Sequence, residues 1–313
     1  MAAIPARIRD LTLRDLSKRC ARGRLNIDYG AATVRVRSVL PDFAKVFHLV
    51  YGGFHADPPD AELAEYHIRL KRGYGIRSLV RRQSRFLIDG VEPFEPFPES
   101  GSLPLFEWGV NWCFGQRANQ YVVLHAGALA LNDRAVIMAA PPGSGKSTLA
   151  AAMMLRGFRL LSDEFGVLRP DTGDLIPMLK PVALKNQSVE VVRAFSDEAV
   201  IGPLFPGTRK GDVAHLAPDD LSVDAVHRPA RPELVVFPEY QAGTRLDARL
   251  LPGEEAFARL AFNSFNYPLL GPIGFEAVAR VIKSCPAYQL RYSRLDSAIA
   301  WVRERMHETG TGT

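Results

Sequence analysis

Eight consecutive residues, Pro141-Pro142-Gly143-Ser144-Gly145-Lys146-Ser147-Thr148, carry the clearest chemistry in the chain. Glycines at 143 and 145 let backbone N–H groups turn inward, a lysine follows, and two hydroxyl residues close the run. These are the parts of a phosphate cradle, the Walker A pattern. In such a cradle Lys146 reaches the β- and γ-phosphates and Ser147 offers its hydroxyl to Mg²⁺, while Pro142, Gly143, Ser144, Gly145 and Thr148 wall the anion. One position departs, because Ala140 stands where the pattern has glycine. Alanine is a mild change there if the residue keeps ordinary strand dihedrals. Two acids, Asp163 and Glu164, stand 17 residues beyond Lys146. Beside a bound phosphate, one acid takes a proton from an attacking hydroxyl and the other holds metal directly or through water.

The flanking residues predict the elements that position this chemistry. Ala135–Ala140 is an apolar run of strand length, and Leu149–Leu155 is rich in helix formers, so the loop joins a strand to a helix. Gly157 suits a helix C-cap, and Arg159 to Glu164 reads as a brief strand ending in the two acids. The unit is a short βαβ, whose parallel strands bring their C-terminal ends to one edge of the sheet. Before the loop, Tyr121–Leu131 and Arg134–Ala140 flank Asn132-Asp133, a two-residue hairpin turn. Pairing 131 with 134 sets 125 opposite 140, which puts His125 at the lip of the loop. A lone histidine is commonly a satisfied core residue, but this register also offers it a phosphate-contacting or base-orienting role. Further on, Phe165–Leu168 and Leu175–Met178 predict another hairpin. Lys185, in Lys180-Pro-Val-Ala-Leu-Lys185-Asn186, and Lys210, in Thr208–His215, are candidates to neutralise phosphoryl charge, against the plainer reading of surface lysines.

The first 100 residues read as a small α+β unit. Thr12 and Asp15 have capping-box spacing ahead of a helix reaching about Cys20, Ala32–Ser38 alternates as a half-buried strand, and residues 42–51 turn helical. Tyr66, Ile68 and Leu70 alternate again, and Phe86–Ile88 leads into an Asp89-Gly90 hairpin turn. A Pro-rich stretch from Glu92 to Ser102 marks a connection, so the expected units are residues 1–100 and 101–313. From Leu103, the residues Phe106, Val110, Cys113 and Phe114 recur at helical spacing, with Trp108 and Trp112 widening the stripe. Core packing between the two units accounts for these aromatics better than base stacking does.

Composition narrows the classes further. The 313 residues, 47% hydrophobic, can bury one large core or two ordinary ones. No apolar window is long enough to span a bilayer and no signal-peptide block opens the chain, which predicts a soluble, cytoplasmic protein with no membrane role. Cys20, Cys113 and Cys285 are far apart, as core thiols in a reducing compartment would be. The net charge of +5 is unevenly spread: residues 1–124 hold 18 basic and 13 acidic side chains, and the remainder 21 of each. Residues 1–24 carry seven basic and two acidic side chains, and residues 69–85 seven basic and none acidic. The neutral C-terminal part argues against a nucleic-acid groove. The basic segments are expected to form a surface that docks an acidic peptide or partner, although solvated strand faces are the simpler account of Arg35, Arg37, Arg69 and Lys71.

Together, His125, the compact Gly143-Ser-Gly145-Lys146-Ser147 loop and Arg159-Leu-Leu-Ser-Asp163-Glu164 resemble the kinase domain of HPr kinase/phosphorylase, a serine kinase related to phosphoenolpyruvate carboxykinase. Glu107-Trp108-Gly-Val-Asn111-Trp112-Cys113, Leu184-Lys185-Asn186, Lys210–His215 and Phe262–Tyr267 look like the subgroup called HPr kinase-related kinase A. The resemblance implies an α/β fold in which a small N-terminal α+β domain precedes a P-loop kinase domain. It also implies ATP and Mg²⁺ as cofactors, Lys146 on the phosphates, Ser147 on Mg²⁺, and Asp163 as base toward a protein hydroxyl. Glu164 replaces the second aspartate of the parent family. The subgroup is associated with a small PqqD-like peptide-binding partner, and the parent family self-associates. The expected activity is Mg·ATP-dependent phosphorylation of a Ser or Thr on a peptide or small protein. The alternatives are a nucleotide-dependent switch without an acceptor, or phosphorylation of a small-molecule hydroxyl.

Overall fold

The computed structural model describes residues 6–56, 63–75 and 80–308. Arg77, part of the basic 69–85 segment, and residues 1–5 lie outside them. The chain is a mixed α/β protein, and its described residues form three sheets.

The first sheet has the order β1 (Leu25–Asp28), β2 (Thr33–Ser38), β3 (Tyr66–Arg72), β4 (Gln83–Ile88) and β5 (Phe97–Pro98). Helix α1 (Leu13–Arg22) begins where the Thr12 hydroxyl accepts from the Asp15 N–H at 3.1 Å, and it ends at Gly23 in the left-handed conformation. The predicted Asp89-Gly90 turn forms with both residues at positive φ. Alternation along β2 and β3 sends Val34, Val36, Ile68 and Leu70 into the core and leaves Arg35, Arg37, His67, Arg69 and Lys71 on the open face. Like charge there is dense enough that Arg69, with Arg85 and Arg37, pulls the Lys71 ammonium below its ordinary pKa. The basic residues near the N-terminus divide: Arg7 and Arg9 pair with Asp220 and Asp224, whereas Arg22 borders the same open face.

Helix α2 (Pro41–Val50) packs Phe43, Phe47 and its C-cap Tyr51 against Phe106 of α3 (Ser102–Arg117), with ring centroids 5.5, 5.8 and 6.2 Å away. The aromatic stripe is therefore mostly core, as its spacing predicts, but Trp108 is only half-buried and Trp112 is 38% exposed. One buried cluster runs from Ile8 through this contact to Met306, and it includes Cys20 and Cys113. A second cluster covers the other face of the large sheet and includes Cys285. All three cysteines are free and buried.

The large sheet has the order β10 (Leu175–Ile176), β9 (Phe165–Leu168), β6 (Val122–Leu131), β7 (Arg134–Ala139), β14 (Arg231–Tyr240), β16 (Ala287–Tyr292) and β15 (Asp247–Leu250), with β8 (Arg159–Ser162) also paired to β6. Strands β7, β14 and β16 are mutually parallel. Helix α4 (Lys146–Met154) follows β7. Strands β7 and β8 are both antiparallel to the intervening β6, so they run in the same direction and end at the same edge. The third sheet has the order β11 (Val182–Lys185), β13 (Gly211–Leu216), β12 (Phe205–Thr208). Helices α5 (Gln187–Phe195), α6 (Asp220–Asp224), α7 (Gly253–Phe262), α8 (Tyr267–Leu270), α9 (Pro272–Ser284) and α10 (Leu295–Glu308) complete the described chain. Among the described residues, no helix is long and apolar enough to cross a membrane.

Candidate active site

The predicted loop lies between β7 and α4. Gly143 and Gly145 both have φ of +88°, a region closed to most side chains, while Ala140 keeps a negative φ, so alanine is tolerated where the pattern has glycine. A Cβ at Gly145 would stand 2.7 Å from the Tyr292 hydroxyl and 3.0 Å from the Tyr240 Cβ. The loop is thus pressed against the ends of β14 and β16. Tyr240 N–H donates to the Ser144 carbonyl at 3.0 Å, and the Tyr292 hydroxyl donates to the Gly145 carbonyl at 3.3 Å.

On the opposite side, the turn between β8 and β9 brings Asp163 and Glu164 to the loop. Lys146 Nζ donates to the Asp163 carbonyl at 2.7 Å. Burial pushes the Asp163 carboxyl up to about 6; the Glu164 charge adds to that, and Lys146, Lys180 and a hydrogen bond with Ser147 oppose it. Burial raises Glu164 too, but Lys180, Lys210, Lys146 and His125 outweigh it and hold the carboxyl below its ordinary value. Burial also pulls Lys146 down, against the attraction of both acids. The predicted register holds: Ala126 pairs with Ala139, so the next position sets His125 beside Ala140. Burial lowers the pKa of the His125 imidazole, Lys146 lowers it further, Glu164 opposes, and Lys185 and Lys210 add to the lowering.

Sequence reasoning missed the support beneath the acids. Asn111 on α3 donates through Nδ2 to Glu164 Oε2 at 2.6 Å and accepts from Lys180. Lys180 pairs with Glu107 at 3.0 Å, both side chains being almost completely buried. Glu107 in turn accepts from the Tyr51 hydroxyl, which lies 3.0 Å from that of Tyr29. Lys180 is therefore not the surface lysine that its loop context suggests. The signal for it was Glu107 and Asn111, two polar residues four apart on one face of an otherwise apolar helix. Lys185 and Lys210 remain exposed and line a narrow pocket with Trp108, Asp163, Glu164 and His215. The Lys210 ammonium stands 6.0 Å from the Trp108 ring.

These residues fit a nucleotide triphosphate with Mg²⁺. Among the described residues the Ser144 hydroxyl, buried in the loop, has no hydrogen-bond partner, and the first turn of α4 leaves backbone N–H groups facing the same space. Among the described residues, no group of three or more His, Cys, Asp or Glu side chains forms a metal cage. Ser147 would hold Mg²⁺ with one carboxylate of the pair Asp163 and Glu164, phosphate and water completing its shell, the usual arrangement for this ion.

No protein-family model matches the chain, and no curated protein matches it. Among solved structures it is similar to the Hpr(Ser) kinase/phosphatase from Coxiella burnetii, at 15% identity and a TM-score of 0.29, over 60% of this chain and 98% of that one. A likeness of that size bears no weight beside the geometry of the loop, its lysine and its two acids.

Proposed function

We propose that the protein is a Mg·ATP-dependent kinase that phosphorylates a Ser or Thr hydroxyl of a peptide or small protein. The observation that carries this reading is the convergence of Lys146 and Asp163 at a glycine-turned loop between a strand and a helix. Bound Mg·ATP supplies the transferable phosphoryl group. Lys146 and the loop N–H groups would hold the phosphates, and Ser147 with Glu164 would hold the metal. Asp163 takes the proton of the acceptor hydroxyl as its oxygen bonds to phosphorus and ADP departs with the electrons of the broken P–O bond. His125, Lys185 and Lys210 balance charge around the group in transit.

The basic open face of the first sheet supports an acidic acceptor, presented alone or by a small PqqD-like partner. Incubation with γ-labelled ATP and the products of neighbouring genes is expected to label one of them. Asp163→Asn should lower that labelling by roughly 10²–10⁴-fold, and reversing Arg81 and Arg82 to glutamate should weaken acceptor labelling while sparing ATP binding. ATP hydrolysis without any labelled acceptor, insensitive to Asp163→Asn, would sink the reading.

A further inference from the structure

The two acids and the two tyrosines lie on opposite sides of the phosphate loop. Asp163 and Glu164 follow β8, which pairs with β6, whereas Tyr240 and Tyr292 end β14 and β16 on the far side of β7. These parallel strands open at one edge of the sheet, where ligands of such sheets lie. The transferring end of a nucleotide must sit beside Asp163. The rest of an extended nucleotide then runs across the loop and over the ends of β14 and β16.

At that place stands Tyr240, 52% exposed although it ends a strand that is otherwise mostly buried. Its ring is held from behind by Tyr292, edge to face at 5.9 Å and 69°. Its backbone is tied to the loop through Ser144, and its pairing with Tyr292 continues the β14–β16 ladder. A ring that is half exposed, braced by a second ring and next to a phosphate cradle has the properties of a stacking platform.

Building on the nucleotide reading above, we infer that Tyr240 is the platform for the purine base. Titration calorimetry with Mg·ATP and with Mg·tripolyphosphate, which lacks base and ribose, separates this role from others. Wild type is expected to prefer ATP. Tyr240→Ala should weaken ATP roughly tenfold or more and leave tripolyphosphate unchanged, while Tyr240→Phe should behave as wild type. Equal loss of both ligands in Tyr240→Ala would overturn the inference in favour of a loop brace, and unchanged ATP affinity would overturn it outright. Wild type binding tripolyphosphate as tightly as ATP would remove the base platform but leave the cradle. Binding of neither would remove the nucleotide reading, and this inference with it.

Discussion

His215 is 1% exposed, and among the described residues neither of its ring nitrogens has a hydrogen-bond partner. Burial lowers its pKa to about 4; the Glu107 carboxylate opposes that shift and the Lys180 ammonium adds to it. The centroid of the Phe205 ring lies 6.4 Å from that of His215. Because the folded pKa lies below the ordinary value of about 6.5, the unfolded chain binds more protons between those two pH values, and stability falls as pH falls through that window. Its contribution is intact above the unfolded pKa and lost on approach to the folded one. Relative to His215→Leu, the wild type should lose about 3 kcal/mol of unfolding free energy between pH 7 and pH 4. Denaturant titrations at several pH values check this, and a difference that does not vary with pH would refute it. The sequence places His215 near Lys210 but gives no sign of its surroundings, because the charged groups that act on the ring, Glu107 and Lys180, are both remote along the chain.

At the scale of elements, Gly109 lets α3 lie directly on β4. A Cβ there would stand 2.0 Å from the ring of buried Phe86. Alanine would add up to ~1 kcal/mol of helix propensity against an overpacking cost of ~1–3 kcal/mol. Gly109→Ala is therefore expected to lower Tm in calorimetry; a raised Tm would mean that Phe86 moves aside without cost. Elements set by local chemistry were legible in the sequence. Asn132-Asp133 and Asp89-Gly90 turn the chain where their dihedral preferences say, and the first of these turns carries His125 into register with the loop. Helix-forming composition beside the glycine loop marked the loop helix, and the short apolar run after Gly157 marked the strand that leads to the acids. What stayed hidden is what only tertiary contact creates: Lys180 reaches back to Glu107 and Asn111 on α3, 73 and 69 residues away. No local period encodes such a pair.

At the scale of the molecule, sheets divide the chain near residue 100, but the buried cluster that begins at Ile8 does not. The three cysteines sample that arrangement from separate places, with Cys20 in α1 and Cys113 in α3 in the shared cluster and Cys285 in the cluster behind the large sheet. Burial pushes their thiols up to about 12, 12 and 11, so each is silent toward alkylating reagents until its surroundings open. The protein thus carries three built-in reporters of regional opening. In native-state alkylation followed by mass spectrometry, Cys20 and Cys113 should react at one common rate and Cys285 at its own. Much faster reaction of Cys20 than Cys113 would show that the first sheet swings open alone, leaving the phosphate loop and its acids in place.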